Sequence, residues 1–232
     1  MTRIGRRERR RLDAVLLLAG TVILAVAVVC AEWVGDHERV AAYWVGAEVA
    51  EDGSARVLEV IDYDFGRAKR HGIFRDIPDL AGDPSISVSS PTAPDEVLVS
   101  GVTNGTRVRI GDPHITVSGR HRYSISYQLP SVVQEGRLAW DAVGTQWDVP
   151  LERVSIHLVA PFEVLAAECF EGELRSTRGC DLRLSEAGRL ETEVEGLARF
   201  EGVSVVADRG APAARPRLSP PAGTVHEPSR LR

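Results

Sequence analysis

The motifs that usually betray chemistry are what this chain of 232 residues has least of. No two of its six histidines stand four apart, so the zinc-hydrolase helix pattern is excluded. His71, His114, His121 and His157 are scattered instead. No serine sits in a G-x-S-x-G elbow, which removes the commonest signature of a serine hydrolase. There is no C-x-x-C, and the three cysteines have no histidine at zinc-site spacing. Asn104 is the sole asparagine, and it stands before Gly105, which favours a turn over a reactive amide. Past residue 38 no useful stretch keeps a helical period.

What is present begins with a segment of export character. Arg3, Arg6, Arg7, Arg9, Arg10 and Arg11 precede an uncharged apolar run from Ala14 to Ala31. At about 1.5 Å per residue, that run spans about 27 Å, close to a hydrocarbon core. By the positive-inside rule the arginines stay cytoplasmic and the rest is carried outside. One reading is an uncleaved anchor that meets the bilayer through residues 14–31; the other is a signal peptide cut after Ala31. Residues 1–36 are set apart on this ground, leaving 37–210 as an extracytoplasmic domain and 211–232 as a Pro- and Arg-rich tail, expected to be disordered.

The formal charge of −5 is unevenly spread. Residues 1–31 and 209–232 each carry +4, so the body from 32 to 208 holds −13. An acidic body argues against a nucleic-acid partner, which needs clustered Lys and Arg. Cys169 and Cys180 fall on the exported side, where disulfides persist, and are expected to be bonded.

The body reads as short apolar runs punctuated by Gly, Asp-Gly, Asn-Gly and Pro. Hairpin turns are expected at Asp52-Gly53 and at Asn104-Gly105. Tyr123, Ile125, Tyr127 and Leu129 alternate with polar residues, as do Val154, Ile156 and Leu158. These strands predict an all-β fold: an antiparallel β-sandwich of immunoglobulin-like architecture, preceded by one N-terminal transmembrane or signal helix.

Several stretches, taken in order, resemble a known family: "EDGSARVLEVIDYDF", "RHGIFRDIP", "VRIGDPHITVSGRHRYSISYQL", "RLAWDAVGTQWDVPLERVSIHLVAP" and "AECFEGELRSTRGC". Over roughly Val40 to Gly210 the chain is similar to domain of unknown function 2207, a family of predicted membrane proteins. The phrase from Gly72 to Pro78 is its most specific part. The resemblance implies an exported β-rich domain and carries no established activity.

Glu59 is the most informative side chain. It shares a strand face with Val57, Ile61, Tyr63 and Phe65, and a lone carboxylate buried there needs a partner. The stretch "RHGIFRDIPDL" supplies one. It reads as a docked loop in which Ile73, Phe74, Ile77 and Pro78 cover the sandwich edge while Arg75 turns inward to Glu59. Asp62, Asp64, Asp76, Asp79 and Asp83 lie close together, but their spacing does not match a calcium loop, and no metal or other cofactor is expected. Trp140 and Trp147 suit core or strand-end positions, with a carbohydrate platform as the alternative. With no nucleophile–base or paired-carboxylate set, the favoured reading is a non-enzymatic module contacting an unidentified protein or envelope partner. The alternative is a cell-envelope hydrolase or carbohydrate-binding domain.

Overall fold

The computed structural model describes residues 37–80, 85–103, 105–186 and 188–222. The N-terminal helix expected in residues 1–36, Asp83, Asn104 and the last ten residues of the tail lie outside them. Among the described residues there is no helix, and so none long and apolar enough to cross a membrane.

The strands in chain order are β1 (Arg39–Val49), β2 (Ala55–Asp64), β3 (Ile73–Pro78), β4 (Ser87–Ser89) and β5 (Val97–Val102). There follow β6 (Gly105–Ile110), β7 (Arg120–Leu129), β8 (Val133–Gln134), β9 (Arg137–Val143) and β10 (Leu151–Val159). The last are β11 (Phe162–Gly172), β12 (Arg178–Gly179), β13 (Leu182–Glu186), β14 (Arg189–Leu197) and β15 (Gly202–Pro212). They form a seven-stranded sheet, β13-β14-β10-β1-β2-β7-β4, a five-stranded sheet, β12-β11-β15-β9-β8, and a three-stranded sheet, β3-β6-β5. The fold is all-β, and the strand orders carry no immunoglobulin-like assignment.

All three sheets feed one hydrophobic core. Tyr43, Val45, Val57, Ile61, Ile125 and Ile156 come from the large sheet. Leu138, Phe162 and Val205 come from the five-stranded sheet, and Ile73, Ile77, Val108 and Ile110 from the small one. The period of two explains this directly, because alternate residues of each strand share a face.

Four expectations need correction. Strand β1 pairs with β2 antiparallel but with β10 parallel, so the large sheet is mixed. The two strands are separated by most of the domain, which leaves ample chain for the crossover a parallel pair requires. The stretch around Arg75 is not a loop: Ile73–Pro78 is a strand paired along its whole length with β6. Its inward set, Ile73, Arg75 and Ile77, has the period of two, and the central Arg disguises it. Phe74 accordingly points outward and is 61% exposed rather than covering the core.

Gly105, expected in the second turn, is a strand residue instead. It already pairs with Val102 and, on its other side, with Pro78, so it belongs to β6. A side chain at 105 would collide with the Ile77 carbonyl, so glycine is needed there for close backbone approach. The first turn spans residues 50–54, with Gly53 at φ +87° and Asp52 accepting from the backbone and hydroxyl of Ser54.

Finally, residues 211–222 are not a structureless tail. Ala211 and Pro212 end β15, and the chain then crosses the outer face of the large sheet. Arg215 donates to the Val49 carbonyl, Arg189 to the Arg217 carbonyl and Arg122 to the Ala222 carbonyl. Leu218 packs on Trp44, Leu58 and Val60, a patch that would otherwise face water. Anchoring by backbone carbonyls and one leucine was invisible to a composition argument. Leu218→Ala should therefore cost about 1 kcal/mol of stability for a half-buried leucine. It should also red-shift tryptophan emission; an unchanged spectrum and midpoint would show that the segment does not pack there.

Candidate functional site

Arg75 leaves the middle of β3 and enters the core, where its side chain is 1% exposed and that of Glu59 is 0%. Its Nε donates to Glu59 Oε2 at 2.8 Å, and one terminal nitrogen donates to Oε1 at 2.8 Å. That is the bidentate fork for which guanidinium and carboxylate are matched. The same nitrogen reaches the Tyr43 hydroxyl at 3.1 Å, and the other donates to the Asp76 carbonyl. Tyr127 donates to Glu59 Oε1 at 2.7 Å. The guanidinium carbon lies 5.9 Å from the Tyr43 ring and 5.6 Å from the Trp147 ring, within cation–π range.

Each partner comes from a strand whose alternation aims it inward. Glu59 sits on β2 between Val57 and Ile61, and Tyr127 on β7 lies opposite Val57. Tyr43 lies on β1 opposite Ile61. Sequence reasoning named Glu59 and Arg75 but missed the tyrosines. The available signal was that a tyrosine on an apolar strand face needs a partner for its hydroxyl.

Electrostatically the group is locked. Burial alone would lower the Arg75 pKa, but the Glu59 carboxylate outweighs it, and the guanidinium is held charged more firmly than usual. Burial raises the hydroxyls of Tyr43 and Tyr127 well above the ordinary tyrosine range, and Glu59 adds to the effect. Burial also raises Tyr63 and pushes Tyr123 up to about 12.

Three of the acidic residues considered for calcium, Asp62, Asp64 and Asp76, are engaged by arginines. Arg122 grips Asp62 at 2.6 and 2.7 Å, Arg107 grips Asp76 at 2.7 Å twice, and Arg39 reaches Asp64 at 2.7 Å. Among the described residues no cluster of three or more His, Cys, Asp or Glu could hold a metal. Cys169 and Cys180 form a disulfide with Cα atoms 5.2 Å apart.

Three surface features remain. A cleft of about 580 Å³ is bordered by Phe74, Arg107, Trp147 and Phe200, beside the outer face of β3. A larger one of about 1140 Å³ lies where Asp79, Thr103, Asp141, Gln146 and Glu173 approach one another. The third feature is β5, exposed on both faces, with Val97 at 40%, Leu98 at 56% and Val99 at 41%.

Two measurements probe the buried group. Arg75→Ala or Glu59→Ala leaves an unpaired charge in the core and should cost about 3–5 kcal/mol each. The double variant should lose less than the sum, since both remove one interaction; additive losses in denaturant melts would deny the coupling. For pH, a pKa raised in the folded state means that the fold holds its protons longer than the unfolded chain. Stability is then full below about pH 10, the unfolded tyrosine value, and falls as pH rises above it. The slope is at most about 1.4 kcal/mol per pH unit for each raised tyrosine. All four tyrosines of the chain are raised. Tyrosinate absorbance should therefore appear together with unfolding; a titration near pH 10 in the intact fold would contradict this burial.

Residues 39–208 match the family described as predicted membrane protein (DUF2207), N-terminal domain. No curated protein matches. Among solved structures, the chain is similar to native yeast LTA4 hydrolase at 7% identity and a TM-score of 0.45, over 74% of this chain and 29% of that one. It is similar to an M1 zinc metallopeptidase from Deinococcus radiodurans at 12% identity and a TM-score of 0.41, over 73% of this chain and 42% of that one. The chain thus spans less than half the length of either protein. On the family match, which takes in most of its length and nearly all of its strands, the chain belongs to the DUF2207 family of predicted membrane proteins.

Proposed function

We propose that the domain is a non-enzymatic contact module, held outside the cytoplasm by residues 14–31 as a membrane anchor. The observation that supports this best is β5, a six-residue strand without a charged side chain that leaves Val97, Leu98 and Val99 in solvent. Apolar surface of this kind is characteristic of sites that meet another macromolecule. The buried polar group points the same way. Glu59 and Arg75 are sealed in the core and occupied by each other, so neither is offered to a substrate. The membership in a membrane-protein family and the arginine cluster before the apolar run support the placement.

The test is position-specific crosslinking in intact cells, with a photoreactive residue at Leu98 and, as control, at Leu165 on β11. A discrete adduct at 98 and none at 165 is expected. A reporter active only outside the cytoplasm, fused after Arg232, should give signal in the membrane fraction. Equal labelling at both positions would remove the contact surface, and a reporter active only inside would remove the topology.

A further inference from the structure

Six strands end the three sheets, and five of them are blunted. β4 has three residues, and β8 and β12 have two each. β13 places Arg183 in its short run, and β3 carries Asp76 and ends in Pro78. Short length, charge and proline are the devices by which native sheets stop their edges from pairing with another chain. β5 has none of them: "VLVSGV" is uncharged, free of proline and rich in β-branched residues. Among the described residues it pairs with β6 alone.

The direction of its free backbone groups follows from the ladder. The Glu96 carbonyl accepts from Gly111 N–H at 2.9 Å, so residue 96 turns its backbone toward β6. Antiparallel pairing alternates, and Leu98, Ser100 and Val102 therefore do the same, while Val97, Val99 and Gly101 turn theirs outward. The open edge thus offers three residues, evenly spaced about Val99.

We infer that this edge pairs antiparallel with the β5 of a second copy of the chain, centred on Val99. The inference rests on the contact reading above and names its partner. A two-fold axis through the Val99 pair keeps each sheet face on its own side and sets Val99 against Val99 and Val97 against Gly101. All three outward residues are then used, for about six backbone hydrogen bonds. Charge allows this arrangement: Glu96 falls opposite Val102 and Asp95 opposite Thr103, so no carboxylate meets another. Aligned in parallel, the same strands would set Asp95 and Glu96 against their own copies, which is unfavourable. The contact is isologous and closed, so it ends at a dimer. It is also small compared with the ~1,000 Å² or more of a stable soluble interface, so it is favoured where both copies share a membrane.

The full chain in its membrane, with Cys30→Ala to remove the one cysteine outside the bonded pair, provides the test. In a hydrogen-bonded antiparallel pair the Cα atoms lie about 5.5 Å apart, which suits a disulfide. Val99→Cys should give a covalent dimer under mild oxidation, and Leu165→Cys on β11 should not. A monomer at 99, equal dimer at both positions, or a mixed disulfide with a different protein would each overturn the second copy. If crosslinking from Leu98 still captured another protein, the contact reading would stand without it. Val99→Pro removes an outward N–H and spares the β5–β6 ladder. In detergent it should weaken dimerisation roughly tenfold or more, through two symmetric hydrogen bonds, with the unfolding midpoint unchanged. Undiminished dimerisation would also overturn the proposal.

Discussion

The small sheet is held to the large one by a charge pair that water does not reach, Arg75 of β3 on Glu59 of β2. Such a pair adds little net stability over a hydrophobic pair of similar size, because desolvation offsets the attraction. What it supplies is position. A slip of β3 by one residue would bring Phe74 or Asp76 against Glu59, and the carboxylate would lose its counter-charge. The two-pronged geometry also fixes the angle at which the arginine enters. Tyr43 and the ring of Trp147 fill the remaining directions around the cation, and Tyr127 holds the carboxylate, so the cation has one place to sit.

From that fixed point the exposure of β5 follows. With β3 pinned, β6 lays Val108 and Ile110 on the core. β5 begins about 4.8 Å further out, one strand spacing beyond β6. Its inner residues Val97 and Val99 overhang the core and stay near 40% exposed. The closure at the start of β3 is similarly tight: Gly72 and Gly111, both at strongly positive φ, leave no room for side chains between their backbones. The open edge is a consequence of where the small sheet is anchored, and is not loose chain.

The sequence was legible where apolar residues alternate without interruption, as in Tyr123–Leu129 and Val154–Leu158. It was equally legible where a single charge broke such a face, which is how Glu59 and Arg75 drew attention. It misled where the inward residue was itself charged: Arg75 between two isoleucines hides a strand behind the composition of a loop. It was silent on contacts made by backbone. The parallel β1–β10 pair, the glycine at 105 forced by β3, and the tail fixed through carbonyls of Val49, Arg217 and Ala222 leave no mark in hydropathy. The tyrosines of the buried group went unnoticed because a tyrosine on a strand face serves equally as plain core.

The same electrostatics bear on the proposal that the domain is a contact module. A general acid or base works best with a pKa near the operating pH and within hydrogen-bond reach of its substrate. Here the shifted groups are driven away from neutrality: Tyr43 and Tyr127 upward by burial, and Arg75, which burial alone would lower, upward under the Glu59 carboxylate. Their donors and acceptors are directed at one another, and the core closes over them. Tyr43, Tyr127 and Arg75 so arranged keep their protons across the physiological range, and their polar atoms are turned into the core. The cluster gives a rigid mount on which the outer face of β3 and the edge of β5 are held in constant geometry, which is the property a contact surface requires.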